Sequence, residues 1–164
     1  MSNYFIEHII NFAPINERIA TSGQPERSVF PLINAAGYQM VIYLAVYESP
    51  NHIAEEPQIV RDLGMEFIHI PVIWTSPRPE QFDQLASILE ENKGKNIFIH
   101  CELNYRVSSF LFLYKVLYLN SDPESAWWSM LEIWEPDATW RALMREVLSR
   151  HDAAPFERLE EPEL

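Results

Sequence analysis

The sequence predicts an α/β domain with a mainly parallel central sheet of about four to five strands and helices on both faces. Three observations carry that prediction. Apolar runs and amphipathic stretches alternate in the order β-α-β-α-β-α-β and are followed by further helices. Such alternation marks parallel strands joined by crossover helices. The candidate strands are apolar at consecutive positions, as MVIYLA over residues 40–45 shows, which is the pattern of strands covered on both faces. The 164 residues are read as one unit, long enough to bury its own core.

Residues 1–16 read as an irregular lead-in of mixed polarity, and residues 18–21 as a short strand. Ser22-Gly23-Gln24-Pro25 is turn chemistry, with Pro25 opening a helix over 26–36 that Gly37 terminates. The strand at 40–45 is followed by a helix over 54–63, with Pro57 in its first turn and Gly64 at its end. Residues 66–72 (EFIHIPV) form the next strand, and a Pro-rich loop leads to a helix over 80–92. Phe82, Leu85, Ala86, Ile88 and Leu89 give that helix one buried stripe. Residues 96–100 (NIFIH) are the last core strand. The helix over 106–119 is apolar almost all round, so it belongs in the middle of the fold. Two more helices cover 125–134 and 139–149. The acidic tail over about 152–164 reads as a solvated, frayed end.

Composition narrows the function classes. A formal net charge of -12 gives a surface that repels nucleic acid and anionic lipid, so neither is expected as a partner. No stretch has the ~18 apolar residues of a membrane span, and residues 1–12 lack the basic-then-apolar pattern of a signal peptide. The single cysteine excludes an internal disulfide and suits a reducing, cytoplasmic compartment. His8, His52, His69 and His151 show no metal-ligand spacing.

Chemistry concentrates where the strand ending at His100 meets the apolar helix. The segment His100-Cys101-Glu102-Leu103-Asn104-Tyr105-Arg106-Val107-Ser108 delivers a thiol to the carboxyl edge of the sheet. There the free N–H groups of a helix start and the helix dipole favour an anion and a thiolate. Arg106 adds a planar cation suited to oxyanions. A thiolate facing an anion cradle is what nucleophilic phosphoryl or sulfur transfer requires. Cys101 therefore reads as a reactive thiol, against a structural core cysteine. His100 reads as orienting the loop through hydrogen bonds. Ser108 either offers its hydroxyl to the sulfur or stabilises the first helical turn. Glu102 either turns outward or serves as an acid. Trp127, Trp128, Trp134 and Trp140 read as packing residues.

His100-Cys101, Arg106 and Ser108 resemble the phosphate-binding loop of the cysteine-dependent phosphatases, the protein tyrosine and dual-specificity group. A wider set resembles a bacterial phosphatase-like branch of that superfamily whose function is unknown. It comprises Thr21-Ser22-Gly23-Gln24-Pro25, Ile70-Pro71-Val72 with Trp74, the loop with Asn104, and Trp134-Glu135-Pro136. The resemblance implies a dual-specificity-phosphatase-like fold and a Cys101 nucleophile that forms a phosphocysteine. It implies that Arg106 holds the phosphate, with Ser108 assisting, and that no metal or organic cofactor takes part. His100, Glu102, Leu103, Asn104, Tyr105, Arg106 and Val107 would form the phosphate loop, supported by Ser22, Gly23, Gln24 and Trp74. The substrate would be a phosphorylated small molecule or phosphoprotein, with an aryl phosphate or phosphotyrosine foremost.

Two departures from the family pattern stand out. Four residues separate Cys101 from Arg106, one fewer than in the family signature, and the usual loop glycine is absent. Asn104 can take the glycine's place because Asn tolerates the left-handed region. The shorter spacing is that of rhodanese-type sulfurtransferases, which makes sulfur transfer through a Cys101 persulfide the second reading. In addition, no aspartate follows Ile70-Pro71-Val72 to act as general acid. Glu80, Asp83, Glu102, Glu135 and Asp137 are the candidates for that role. A chain without an acid would be a catalytically silent phosphate- or phosphoprotein-binding module, the third reading.

Overall fold

A computed structural model describes residues 5–160. Five strands form one sheet in the order β1-β2-β5-β3-β4: β1 (Ala13–Pro14), β2 (Ile19–Ser22), β3 (Met40–Tyr43), β4 (Glu66–His69) and β5 (Ile97–His100). The pairs β2·β5, β5·β3 and β3·β4 are parallel, and only β1 runs antiparallel, pairing Ala13 with Thr21 and Pro14 with Ala20. The mainly parallel α/β sheet is therefore as predicted.

Side-chain alternation along the strands divides the core into two layers. Ile19, Met40, Ile42, Ile97 and Ile99 face one layer, which is completed by α3 (Pro79–Glu91), α4 (Tyr105–Tyr118), α5 (Pro123–Leu131) and α6 (Ala138–Arg150). Ala20, Val41 and Phe98 face the other, against α1 (Phe30–Ala35), α2 (Glu56–Asp62), Ile6 and Ile9. Helix α4 lies in the middle, with every residue from Arg106 to Tyr114 buried. This is where its uniformly apolar surface requires it to be.

The structure corrects the expected elements in four places. The lead-in contains β1, whose Pro14 suits an edge strand because it has no N–H to donate. The first expected helix divides into a 3-10 turn, Arg27–Val29, and α1, with Pro31 rather than Pro25 in its first turn. Strands β3 and β4 end two and three residues early. Pro71 cannot donate to the ladder, although the Ile70 and Val72 N–H groups still reach the Tyr43 and Leu44 carbonyls at 2.9 and 3.0 Å. The acidic tail is docked through residue 160, residues 161–164 lying outside the described ones. Its α7 (Glu157–Glu160) buries Leu159 at 1% exposure. Phe156 packs on Phe112 and Trp127 with ring centroids 5.8 Å apart. One apolar residue per turn outweighs the surrounding carboxylates.

Candidate active site

The carboxyl ends of β2, β5 and β3 converge where the sheet delivers Cys101, the crevice in which parallel sheets bind ligands. Cys101 is fully buried, and its N–H donates to the Ser22 carbonyl at 3.4 Å. The chain then turns through Glu102 and Leu103 to Asn104, which precedes α4 in the left-handed region at φ 69°. The expected substitution for glycine is thus realised. The conformation is held by the Asn104 amide, which donates to the Asn11 carbonyl at 2.8 Å and to Thr21 Oγ1 at 3.0 Å.

A run of N–H groups is left for a ligand. Among the described residues, none of the six from Glu102 to Val107 donates to a protein acceptor; the Ser108 N–H makes the first bond, to the Asn104 carbonyl. A helix start leaves its first turn of donors free, and this loop extends the free run back to Glu102. Arg106 lies at 5% exposure beside it. Its Nε donates to the Val72 carbonyl at 2.8 Å, and its guanidinium sits 5.4 Å from the Trp74 ring. One nitrogen is held by the backbone, no carboxylate pairs with the guanidinium among the described residues, and its two terminal nitrogens make no hydrogen bond there.

Solved structures share this architecture. A DUF442 protein of Shewanella putrefaciens CN-32, proposed to be a phosphatase, matches with a TM-score of 0.82 and 28% identity over 92% of this chain and 99% of its own. PTPMT1, solved in complex with PI(5)P, matches with a TM-score of 0.73 and 11% identity over 86% and 96% of the two chains. The core catalytic domain of the PP-IP phosphatase SIW14 from S. cerevisiae gives a TM-score of 0.71 and 12% identity over 90% and 96%. The chain has the protein tyrosine phosphatase-like fold. No family profile and no curated protein matches the sequence.

In this phosphatase-like fold, Ser22-Gly23-Gln24 braces the loop. The Gln24 N–H donates to the Glu102 carbonyl at 2.9 Å, and the Gly23 N–H to the Ile10 carbonyl at 2.8 Å. Both ring nitrogens of His100 face oxygens, with Nδ1 3.2 Å from the Cys101 carbonyl and Nε2 2.6 Å from Glu56 Oε2. The other Glu56 oxygen accepts from Gln24 Nε2 at 2.8 Å. Glu56 is 2% exposed, so its burial depends on these partners. Sequence reasoning missed Glu56, because one acidic residue in the first turn of a helix carries no sign of what lies across the fold. Tyr43 covers the same histidine, ring centroids 4.9 Å apart, and burial pushes its phenol up to about 12.

Ser108 goes elsewhere. Its hydroxyl donates to the Tyr105 carbonyl at 3.2 Å, the back-bonding usual for a serine inside a helix. It faces the cavity behind the loop, and Val107, which follows Arg106 directly, is packed in the core.

Trp74, Glu102, Leu103, Tyr105 and Arg106 line an open cleft of about 360 Å³ at the loop. Tyr105 stacks on Trp134 at 4.9 Å and 3°, and Trp134 lies 5.1 Å from Trp74. Trp134, expected as a packing residue, therefore backs the aromatic wall of the cleft. Of the five candidate acids, Glu102 alone lines it. Glu80 pairs with Arg150 at 3.1 Å, Asp83 with His151 at 2.9 Å, and Glu135 with Arg141 at 3.4 Å. Asp137 caps α6 by accepting from the Trp140 N–H at 3.0 Å.

Proposed function

We propose that the chain is a cysteine-dependent phosphatase that hydrolyses a phosphate monoester, with aryl phosphates or phosphotyrosine as its best substrates. The observation that carries the reading is the unspent run of N–H groups from Glu102 to Val107, with Arg106 beside it and Cys101 at its origin. Such a cradle suits the equatorial oxygens of a phosphoryl group, whose charge grows in the transition state. Cys101 Sγ would attack phosphorus as the bond to the leaving oxygen breaks, and the leaving group would depart as its oxyanion. Water would then cleave the S–P bond, releasing inorganic phosphate and restoring the thiol. The aromatic wall suits an aryl leaving group, and phenolates need protonation less than alkoxides do. A free thiol at the working centre fits a reducing, cytoplasmic setting.

The test is phosphate release from 4-nitrophenyl phosphate. Turnover that disappears in Cys101→Ser and falls about 100- to 1,000-fold in Arg106→Ala is expected. No turnover on any aryl phosphate, with retained phosphate binding, would assign the silent module instead. The short loop favours sulfur transfer as the second reading. A mass gain of one sulfur on Cys101 after incubation with thiosulfate, without phosphate release, would select it.

A further inference from the structure

A second cavity of about 400 Å³ lies behind the Cys101 loop, between β1, α4 and α5. Ser108, Leu111, Phe112 and Lys115 line it from α4, spaced so that they share one helix face. Phe12, Met130 and Ile133 contribute apolar wall from the other elements. Its volume lies within the ~300–1,000 Å³ range of small-molecule sites. Lys115 is half-buried in this wall, and its ammonium makes no ion pair or hydrogen bond among the described residues. Burial pulls its ammonium below the usual lysine range, and the Glu132 carboxylate at the rim opposes that shift. A cation half-withdrawn into a wall of mixed polarity, with Glu132 near it but no ion pair or hydrogen bond of its own among the described residues, is complementary to an anion whose apolar body meets Phe12, Met130 and Ile133.

The cavity also touches the loop. Asn11 and Thr21, both in its wall, are the residues that hold Asn104 in its left-handed conformation. Asn11 Nδ2 donates in addition to the Leu103 carbonyl at 2.9 Å.

We propose that this cavity binds a small carboxylic acid with an apolar or aryl body, its carboxylate on Lys115, and that occupancy is transmitted to the loop through Asn11 and Thr21. The site is separate from the cleft, and its binding of the acid does not depend on whether Cys101 is catalytic.

The test titrates 3-phenylpropanoate and 3-phenylpropan-1-ol, which share a body and differ in charge, into the ¹⁵N-labelled protein with phosphate present to occupy the loop. The expected result is saturable binding of the acid, at least tenfold tighter than the alcohol. Amides of Leu111, Lys115 and Met130 should shift together with those of Leu103 and Asn104. Lys115→Met should erase the preference for the acid, and Ser129→Trp, at the exposed mouth, should block both compounds. Equal binding of acid and alcohol, an unchanged preference in Lys115→Met, no saturable binding, or shifts confined to Trp74 and Tyr105 would overturn the site. Shifts at the cavity that leave Leu103 and Asn104 unmoved would overturn its link to the loop. Since binding is the readout, a chain without phosphatase activity is tested equally well.

Discussion

A methyl group at position 23 would lie 2.6 Å from both the Glu102 carbonyl oxygen and Ile10 Cγ2, and 3.1 Å from Leu103 Cα. Two of those three atoms are backbone of the Cys101 loop, so they cannot move away without moving the loop. Gly23→Ala should therefore lower kcat/KM on an aryl phosphate at least tenfold while costing only about 1–3 kcal/mol of stability. Parallel thermal denaturation and kinetics separate the two effects; an active, unaltered loop would contradict the close packing. Glu102 acts in the opposite sense. Among the described residues it is the one carboxylate in a cleft whose one cation is Arg106, on a chain of net charge -12. A second phosphate on the substrate would meet that carboxylate. Glu102→Gln should raise the ratio of kcat/KM for an inositol polyphosphate to that for 4-nitrophenyl phosphate by about five- to tenfold, since one like-charge contact near a surface is worth on the order of 1 kcal/mol. A series of aryl phosphates on the same variant shows whether the group also donates a proton: a dependence on leaving-group pKa that steepens when Glu102 is replaced identifies an acid, and an unchanged dependence a charge filter.

Among the elements, α7 is the one whose behaviour the local pattern conceals. Its four residues include three charged side chains and Leu159, whose carbonyl accepts from Arg145 at 2.6 Å, while Arg158 pairs with Glu124 at 2.6 Å. The exposed ion pair contributes little, and the anchor is the buried leucine. Leu159→Ala should cost about 2–5 kcal/mol, read as a lowered denaturant midpoint at unchanged activity. Glu124→Gln should cost under about 1 kcal/mol. An equal effect of the two would mean that the tail is held by charge. Helix α4 presents the reverse case. Its uniform apolarity left no doubt about its burial, and its position under the loop follows from β5 ending in the middle of the sheet.

At the scale of the whole molecule, the alkaline limb of stability is set by buried phenols. Tyr43 and Tyr114 are both pushed up to about 12, chiefly by burial. Unfolded phenols ionise near ~10. Above that pH the unfolded chain loses protons that the folded chain retains, which favours unfolding. The stabilisation is complete below pH ~10 and is lost as the pH rises through ~12. The melting temperature should thus hold up to pH ~10 and fall beyond it, and Tyr114→Phe should flatten part of the fall. A curve level to pH 11 would contradict the assignment.

How much of this was legible beforehand depends on the range of the information. Apolar runs and periodicity are local, and they yielded four parallel strands, helices on both faces and the buried α4. The strand-loop-helix setting of Cys101 and Arg106 follows from the same local signals, and so does the left-handed Asn104, because few residues other than glycine accept that conformation. Other features lay beyond local reading. Strand β1 is two residues long and exists only because β2 lies beside it. Glu56 is buried only because His100 and Gln24 meet it from elsewhere in the chain. Arg106 is aimed by a carbonyl 34 residues away, and Ser108 turns to its own helix. Which carboxylate reaches the cleft was decided by folding: Glu80 and Asp83 are taken up by Arg150 and His151 from far along the chain, whereas only the capping by Asp137 is local. By itself the sequence determined the layers of the fold and the place of the thiol. The tertiary structure decided which polar groups meet, because the energy of a buried polar contact belongs to the pair and is written at neither position singly.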